Sequence, residues 1–293
     1  MEIKVVLLDS FTAHAGGGNP AGVAVLDQEL TEVQMLAVAK TVGFSETAFV
    51  TPSEKADFRV RFFTPAAEVD LCGHATIATF SYLLKIGKVT AGTYTQETGA
   101  GVLSVEVRET GEIFMEQSLP EYSSILKGDG IADSLGIRVE ELREDLPVQI
   151  VSTGLRDILI PVKSLEVLRA IKPDFEKIKH LSKANDAGGY HVFTLETEKG
   201  GTAHCRNFAP LYDIPEESAT GTSNGALACY LWKHGVERVK AGEMLTFEQG
   251  YTMGRPSEIK GLLREGSHGD QKEITRVLIG GKAVPWGEKL VTL

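Results

Sequence analysis

Cysteine is scarce in this sequence, and what there is has no partner. Three occur in 293 residues (Cys72, Cys205 and Cys229), with no C-x-x-C. So few thiols, odd in number, exclude a disulfide framework and fit a reducing, cytoplasmic setting. Long apolar runs are also missing: none reaches the ~18–20 residues of a membrane span. The first residues, Met1 to Asp9, read as a strand without a small-residue cleavage site, so no signal peptide is expected. Basic residues are outnumbered, 30 against 40 acidic, for a net charge of −10, and they form no cluster. A nucleic-acid partner, which needs a basic face, is therefore not expected. No Walker sequence, G-x-S-x-G or H-E-x-x-H occurs, and no histidine pairs with cysteines at zinc spacing, so neither a metal nor a cofactor is expected. Gly16 to Ala21 fits the G-x-G-x-x-A pattern, but Gly22 to Leu26 reads as a strand where a dinucleotide site needs a helix.

What is present is ordinary globular material, 42% hydrophobic and 24% charged, long enough for two domains. The chain also resembles itself. Residues 72–87, CGHATIATFSYLLKIG, align without gaps on 220–235, TGTSNGALACYLWKHG, at an offset of 148. Upstream, Arg61 to Pro65 matches Arg206 to Pro210 as R-x-F-x-P at an offset of 145, so a three-residue loop insertion separates the two matches. Ala48-Phe49-Val50 with Val192-Phe193-Thr194, and Glu97-Thr98-Gly99 with Glu248-Gln249-Gly250, extend the series in order. This predicts a duplicated chain, with domains at 1–118 and 119–293; the last strand could return to the first domain.

Short apolar or alternating runs predict strands at 5–8, 23–26, 46–50, 58–63, 102–107, 149–152, 158–162, 191–195 and 203–208, in antiparallel or mixed pairing. Thr31 caps a helix that Gly43 ends. The helices predicted at 73–86 and 222–233 are apolar on most sides, as buried helices are. The expected class is α+β, with a sheet wrapped around a central helix in each half.

Both buried helices begin at glycine, Gly73 and Gly221. Free amides and the helix dipole suit such a terminus to a carboxylate, although capping by Thr222 or Ser223 is an equally physical reading. Glu46 shares a strand face with apolar residues. As a lone carboxylate there, its pKa should rise, as a general acid/base requires; the alternative is an edge-strand acid reaching solvent or capping a turn. His74 lies in a first helical turn, where the dipole favours the neutral ring; it is a proton relay or a structural residue. Glu216 and Glu217 precede the second buried helix, where acids suit the dipole in any case.

These residues also carry a likeness. Asp9 to Thr12, Gly17 to Leu26, Ser45 to Val50, Phe63 to Pro65 with Glu68 to Thr76, Phe208 to Pro210, Ala219 to Leu227, and Gln249-Gly250 with Met253 to Pro256 together resemble the PhzF-like (phenazine biosynthesis protein) family over nearly the whole chain. The resemblance implies a diaminopimelate-epimerase-like fold of two similar, mostly antiparallel barrels, each around one helix. It further implies a cofactor-independent isomerase, usually dimeric, working on a small carboxylate in the cleft between domains. Carried over, Glu46 is the proton-transferring acid/base, with His74 and Glu217 the other catalytic residues. Asn19, Ser45, Asp70, Gly73, Gly221 and Thr222 are the substrate-binding set.

Two positions depart from the family pattern E-D-P-A-T-G: Glu217 stands for an aspartate and Ser218 for a proline. One methylene displaces a carboxylate enough to affect proton transfer, which bears on the substrate rather than the reaction class. Two-thiol racemases place a cysteine at each buried-helix start; here Cys72 is matched by Thr220, so Cys72 reads as a small buried residue. An amino-acid or hydroxy-acid epimerase using Glu46 or Cys72, and a metabolite-binding protein without turnover, are the alternatives.

Overall fold

The computed structural model describes residues 1–268 and 271–293. It is a mixed α+β chain of two compact units, Met1–Glu116 with Gly280–Leu293, and Gln117–Ile279.

In the first unit, Glu2–Ser10 pairs antiparallel with both Ala283–Thr292 and Asn19–Val25. Asn19–Val25 runs parallel to Glu46–Thr51, which pairs antiparallel with Phe58–Phe63. Phe58–Phe63 pairs antiparallel with Glu68–Val69 and parallel with Gly92–Thr98; Gly101–Val107 and Ile113–Gln117 follow antiparallel. Parallel neighbours need a crossover, and here each crossover carries a helix: Glu32–Val42 for one, Gly73–Lys85 for the other.

The second unit repeats this order. Glu121–Ile125, Gln149–Ser152 and Arg156–Pro161 pair antiparallel in turn. Arg156–Pro161 is parallel to Gly189–Thr194, which is antiparallel to Ala203–Ala209. Ala203–Ala209 takes Ile214–Glu217 antiparallel and Met244–Gln249 parallel, Ser257–His268 pairs antiparallel with Met244–Gln249, and Gln271–Gly281 lies next in the sheet. The crossovers again carry helices: the pair Leu165–Ala170 and Phe175–Ala184, then Gly221–Lys233.

Equivalent side chains keep their bonds. Arg61 grips Glu68 with a two-pronged contact, Nε to Oε1 at 2.7 Å and Nη2 to Oε2 at 2.5 Å. Arg206 grips Glu216 in the same way, at 2.9 Å twice. The three-residue insertion lies between these partners. The first unit turns tightly, with the Thr64 amide on the Ala67 carbonyl, where the second winds a 3₁₀ turn, Pro210–Tyr212, and exits through Asp213 at φ 60°. Glu97 accepts the Ser53 hydroxyl at 2.6 Å, and its counterpart Glu248 accepts the amides of Glu198 and Lys199 at 2.7 and 2.8 Å.

The predicted strands are present with ends shifted by a few residues. Asn19–Val25 is a strand, which removes the dinucleotide reading. Thr31 closes a capping box with Gln34, and Gly43, at φ 81°, ends that helix. The two buried helices are enclosed by their own units: Ile77, Ala78, Phe80 and Leu83 are fully buried in one, Leu227 to Leu231 in the other.

Candidate active site

The site in the first unit is built on one imidazole. Asp9 folds the glycine-rich loop by accepting the Gly16 amide at 2.8 Å. Gly18 crosses that loop at φ 62°, where a Cβ would lie 2.0 Å from the Ser10 carbonyl oxygen, so no other residue fits. The turn delivers Asn19 to the ring: its Nδ2 is 3.4 Å from His74 Nδ1. His74 is buried in the first turn of its helix, with its carbonyl accepting the Ser10 hydroxyl at 2.7 Å. Glu46, the first residue of its strand, brings Oε2 to 3.1 Å from His74 Nε2. Ser45 Oγ is 3.5 Å from the same nitrogen, and Cys72 Sγ is 3.4 Å from Nδ1.

Of the expected residues, Glu46, His74, Asn19 and Ser45 therefore meet, and Gly73 begins the adjoining helix with no side-chain cap. Asp70 does not join them through any hydrogen bond among the described residues; it is exposed, and its carbonyl accepts the Ala100 amide at 3.2 Å. Cys72 is buried as expected, and it also packs on the His74 imidazole, a contact that its reading as a small buried residue did not include.

Two expectations about charge are overturned. Glu46 is not alone: burial pushes its pKa up, but the His74 contact, with Ser45 and Cys72, outweighs that and leaves it below its ordinary value. Burial pushes His74 down, yet Cys72 and Glu46 hold it well above its ordinary value. The neutral-ring expectation counted the helix dipole and omitted the carboxylate 3.1 Å away. Both shifts favour the ionised forms, carboxylate at Glu46 and imidazolium at His74. Glu46 Oε2 is nonetheless buried without a hydrogen bond among the described residues: the charges touch, but no N–H is aimed at that oxygen.

In the second unit, Thr220 precedes the helix without capping it, and neither Thr222 nor Ser223 takes that role. Thr220 instead donates its hydroxyl to Glu217 Oε2 at 2.6 Å, and Gln249 donates to the Glu217 carbonyl at 2.8 Å. Glu216 is occupied by Arg206 and Thr252. Thr222 gives its carbonyl to Thr153 at 3.1 Å. Ser223 donates to buried Asp157, whose pKa burial pushes up to about 7 despite that bond. Asp157 was not anticipated; its one signal is an acid inside an apolar strand, Arg156-Asp157-Ile158-Leu159. Burial likewise pushes His191 down to about 4, within reach of Asn224 and Asn207.

On this duplicated scaffold, the first unit holds a carboxylate and an imidazole in contact. Comparison with known proteins gives the lineage. The phenazine biosynthesis-like protein family, PhzC-PhzF, matches residues 8–289, and the chain belongs to it. A relative from Bacillus subtilis (strain 168), named uncharacterized isomerase YfhB, is 35% identical over 277 residues, 91% of this chain and 93% of that protein. The trans-2,3-dihydro-3-hydroxyanthranilate isomerase of Pseudomonas fluorescens is 27% identical over 301 residues, 98% and 99% of the two chains. The crystal structure of a Bacillus anthracis phenazine biosynthesis protein of the PhzF family superposes with a TM-score of 0.90 at 33% identity, covering 100% of both chains. The chain is an isomerase of this family.

Proposed function

We propose that the chain isomerises a small carboxylate by moving a proton between two carbons, with Glu46 as the base and His74 as its acidic partner. The observation that carries this is the buried, unbonded Glu46 Oε2 at 3.1 Å from His74 Nε2. In the step, a substrate C–H bond breaks and its proton passes to the Glu46 carboxylate. The electron pair enters the adjoining π system, and the proton is returned at another carbon. Composition and oxidation state are unchanged. Imidazolium at His74 stabilises the negative charge that develops. Asn19 and Ser45 hold the ring and contact the substrate. The uncapped amides at Gly73 suit a carboxylate group, as do those at Gly221 and Thr222 in the second unit, where Glu217 is proposed as that unit's acid for proton transfer. The fold reading belongs with this: each unit is a mostly antiparallel barrel around its buried helix.

The test is a panel of unsaturated and hydroxylated carboxylic acids incubated with the protein. The expected outcome is a product of identical mass with a relocated hydrogen, seen by NMR. A product of different mass from every reacting acid would refute an isomerase. Epimerisation at one carbon is a second reading, favoured only by Cys72 Sγ lying 3.4 Å from His74 Nδ1. Inversion without relocation, lost in Cys72→Ser, would select it.

A further inference from the structure

Sequence spacing gives no reason to expect a metal, because no histidine pairs with cysteines at a zinc interval; Cys72 and His74 are separated by a single residue. The fold changes this by bringing in Glu46 from another element. One ligand atom from each of Glu46, Cys72 and His74 lies within 4.8 Å of the other two. We infer that these three side chains form a binding site for a thiophilic divalent cation of the zinc type, and that the cation regulates the isomerase by occupying its base.

The three side chains lie close enough for side-chain rotation to assemble a coordination shell. Glu46 Oε2 and His74 Nε2 are 3.1 Å apart, and Cys72 Sγ and His74 Nε2 are 3.9 Å apart. A tetrahedral zinc with bonds of ~2.3 Å to sulfur and ~2.0–2.1 Å to nitrogen or oxygen separates its ligands by about 3.3–3.6 Å. The Glu46–His74 distance is already close to this; Cys72 Sγ, 3.4 Å from His74 Nδ1, has to swing toward Nε2 for all three to meet one ion. Two of the ligands sit on a rigid frame: the Cys72 carbonyl accepts the Thr76 hydroxyl at 2.9 Å, and the His74 carbonyl accepts the Ser10 hydroxyl at 2.7 Å. Glu46 Oε2 is buried with no hydrogen bond among the described residues, and a cation would take the place of its charge contact with His74. Thiolate and imidazole select zinc, cobalt or copper(I) over magnesium and calcium. A carboxylate, a thiolate and a dication sum to zero charge, which suits the site to burial beside a helix N-terminus. Three protein ligands leave a fourth position open. Entry of the ion sends the Cys72 thiol proton and the His74 ring proton to solvent.

The regulatory half rests on the proposed role of Glu46; the binding half does not. Cobalt(II) is the probe, added to metal-free protein and followed by absorbance. The expected result is saturation at a single equivalent per chain, with a near-ultraviolet thiolate-to-cobalt band and the red bands of tetrahedral cobalt. Zinc should bleach both, and magnesium neither. Cys72→Ser should lose the thiolate band, Cys205→Ser should keep it, and Glu46→Gln should weaken binding by more than the ~10-fold that losing even an outer-shell partner costs. Absence of the thiolate band in the wild type, or its persistence in Cys72→Ser, overturns the site. A parallel arm measures solvent-deuterium exchange into a carboxylate labelled by the wild type, with zinc and then with chelator. Binding without loss of exchange refutes regulation and the Glu46 base together. No binding, with exchange still lost in Glu46→Gln, overturns the metal site alone.

Discussion

Burial alone pushes a carboxylate pKa up and an imidazole pKa down. At Glu46 and His74 both move the other way, because each is the other's nearest opposite charge. The two carboxylates of interest are thus sorted by their surroundings: Glu46 is pushed toward its ionised form beside His74, while Asp157, buried and accepting the Ser223 hydroxyl, holds its proton up to about pH 7. For His74 the raised value means that its stabilising contribution is present below the ordinary 6.5 and is lost as pH rises through the folded value. For Glu46 the lowered value means that its contribution is present above the ordinary 4.5 and is lost as pH falls through the folded value. Removing the carboxylate should release the ring. In Glu46→Gln, the His74 imidazole followed by NMR should titrate at a lower pH than in the wild type; an unchanged midpoint would mean that the ion pair does not form in solution. The sequence shows that Glu46 and His74 are candidates but not that they touch, since 28 positions separate them and no pattern in the chain encodes a contact across elements.

Arg61 and Arg206 stand at equivalent positions on equivalent strands and make the same forked bond, so they form a natural comparison of one ion pair at two depths. The Arg206 side chain is 8% exposed and also donates to the carbonyls of Leu168 and Ile171, whereas the Arg61 side chain is 18% exposed and shares itself between Glu68 and Glu29. Arg206→Ala strands a mostly buried Glu216 and should cost about 3–5 kcal/mol. Arg61→Ala, on an open face, should cost about 0.2–1 kcal/mol. Urea denaturation of both variants checks this, and equal losses would contradict it. The existence of the elements, and the ends of helices that carry capping signals, were the most legible part of the chain. Thr31 and Gly43 bracket their helix because capping chemistry is local, and the all-round apolar character of 73–85 marks it as enclosed. The forked bonds were not legible: R-x-F-x-P could be seen twice, but the glutamate that each arginine grips comes from the far side of a turn whose length differs between the copies.

Over the whole molecule, the duplication explains why one half's chemistry cannot be read off the other. The strand order and the crossover helices repeat, yet Cys72 and His74 become Thr220 and Thr222, and the second unit presents Glu217, Gln249 and buried Asp157 instead of the Glu46–His74 contact. Asp157 leaves a mark on global stability. Between its ordinary 3.8 and about 7 the folded chain keeps a proton that the unfolded chain has released, so stability falls as pH rises through that window. The slope reaches at most about 1.4 kcal/mol per pH unit for this one group. Asp157→Asn should flatten the difference between denaturation curves at pH 5 and pH 8, and a variant as pH-dependent as the wild type would assign the effect elsewhere. The account as a whole stands on proton transfer by Glu46, and the measurement that meets it most directly is deuterium uptake from heavy water. Cell metabolites incubated in D₂O with the wild type should include a carboxylate that gains deuterium, and Glu46→Gln should label it at least ~100-fold more slowly. Labelling by Glu46→Gln at the wild-type rate would contradict the account.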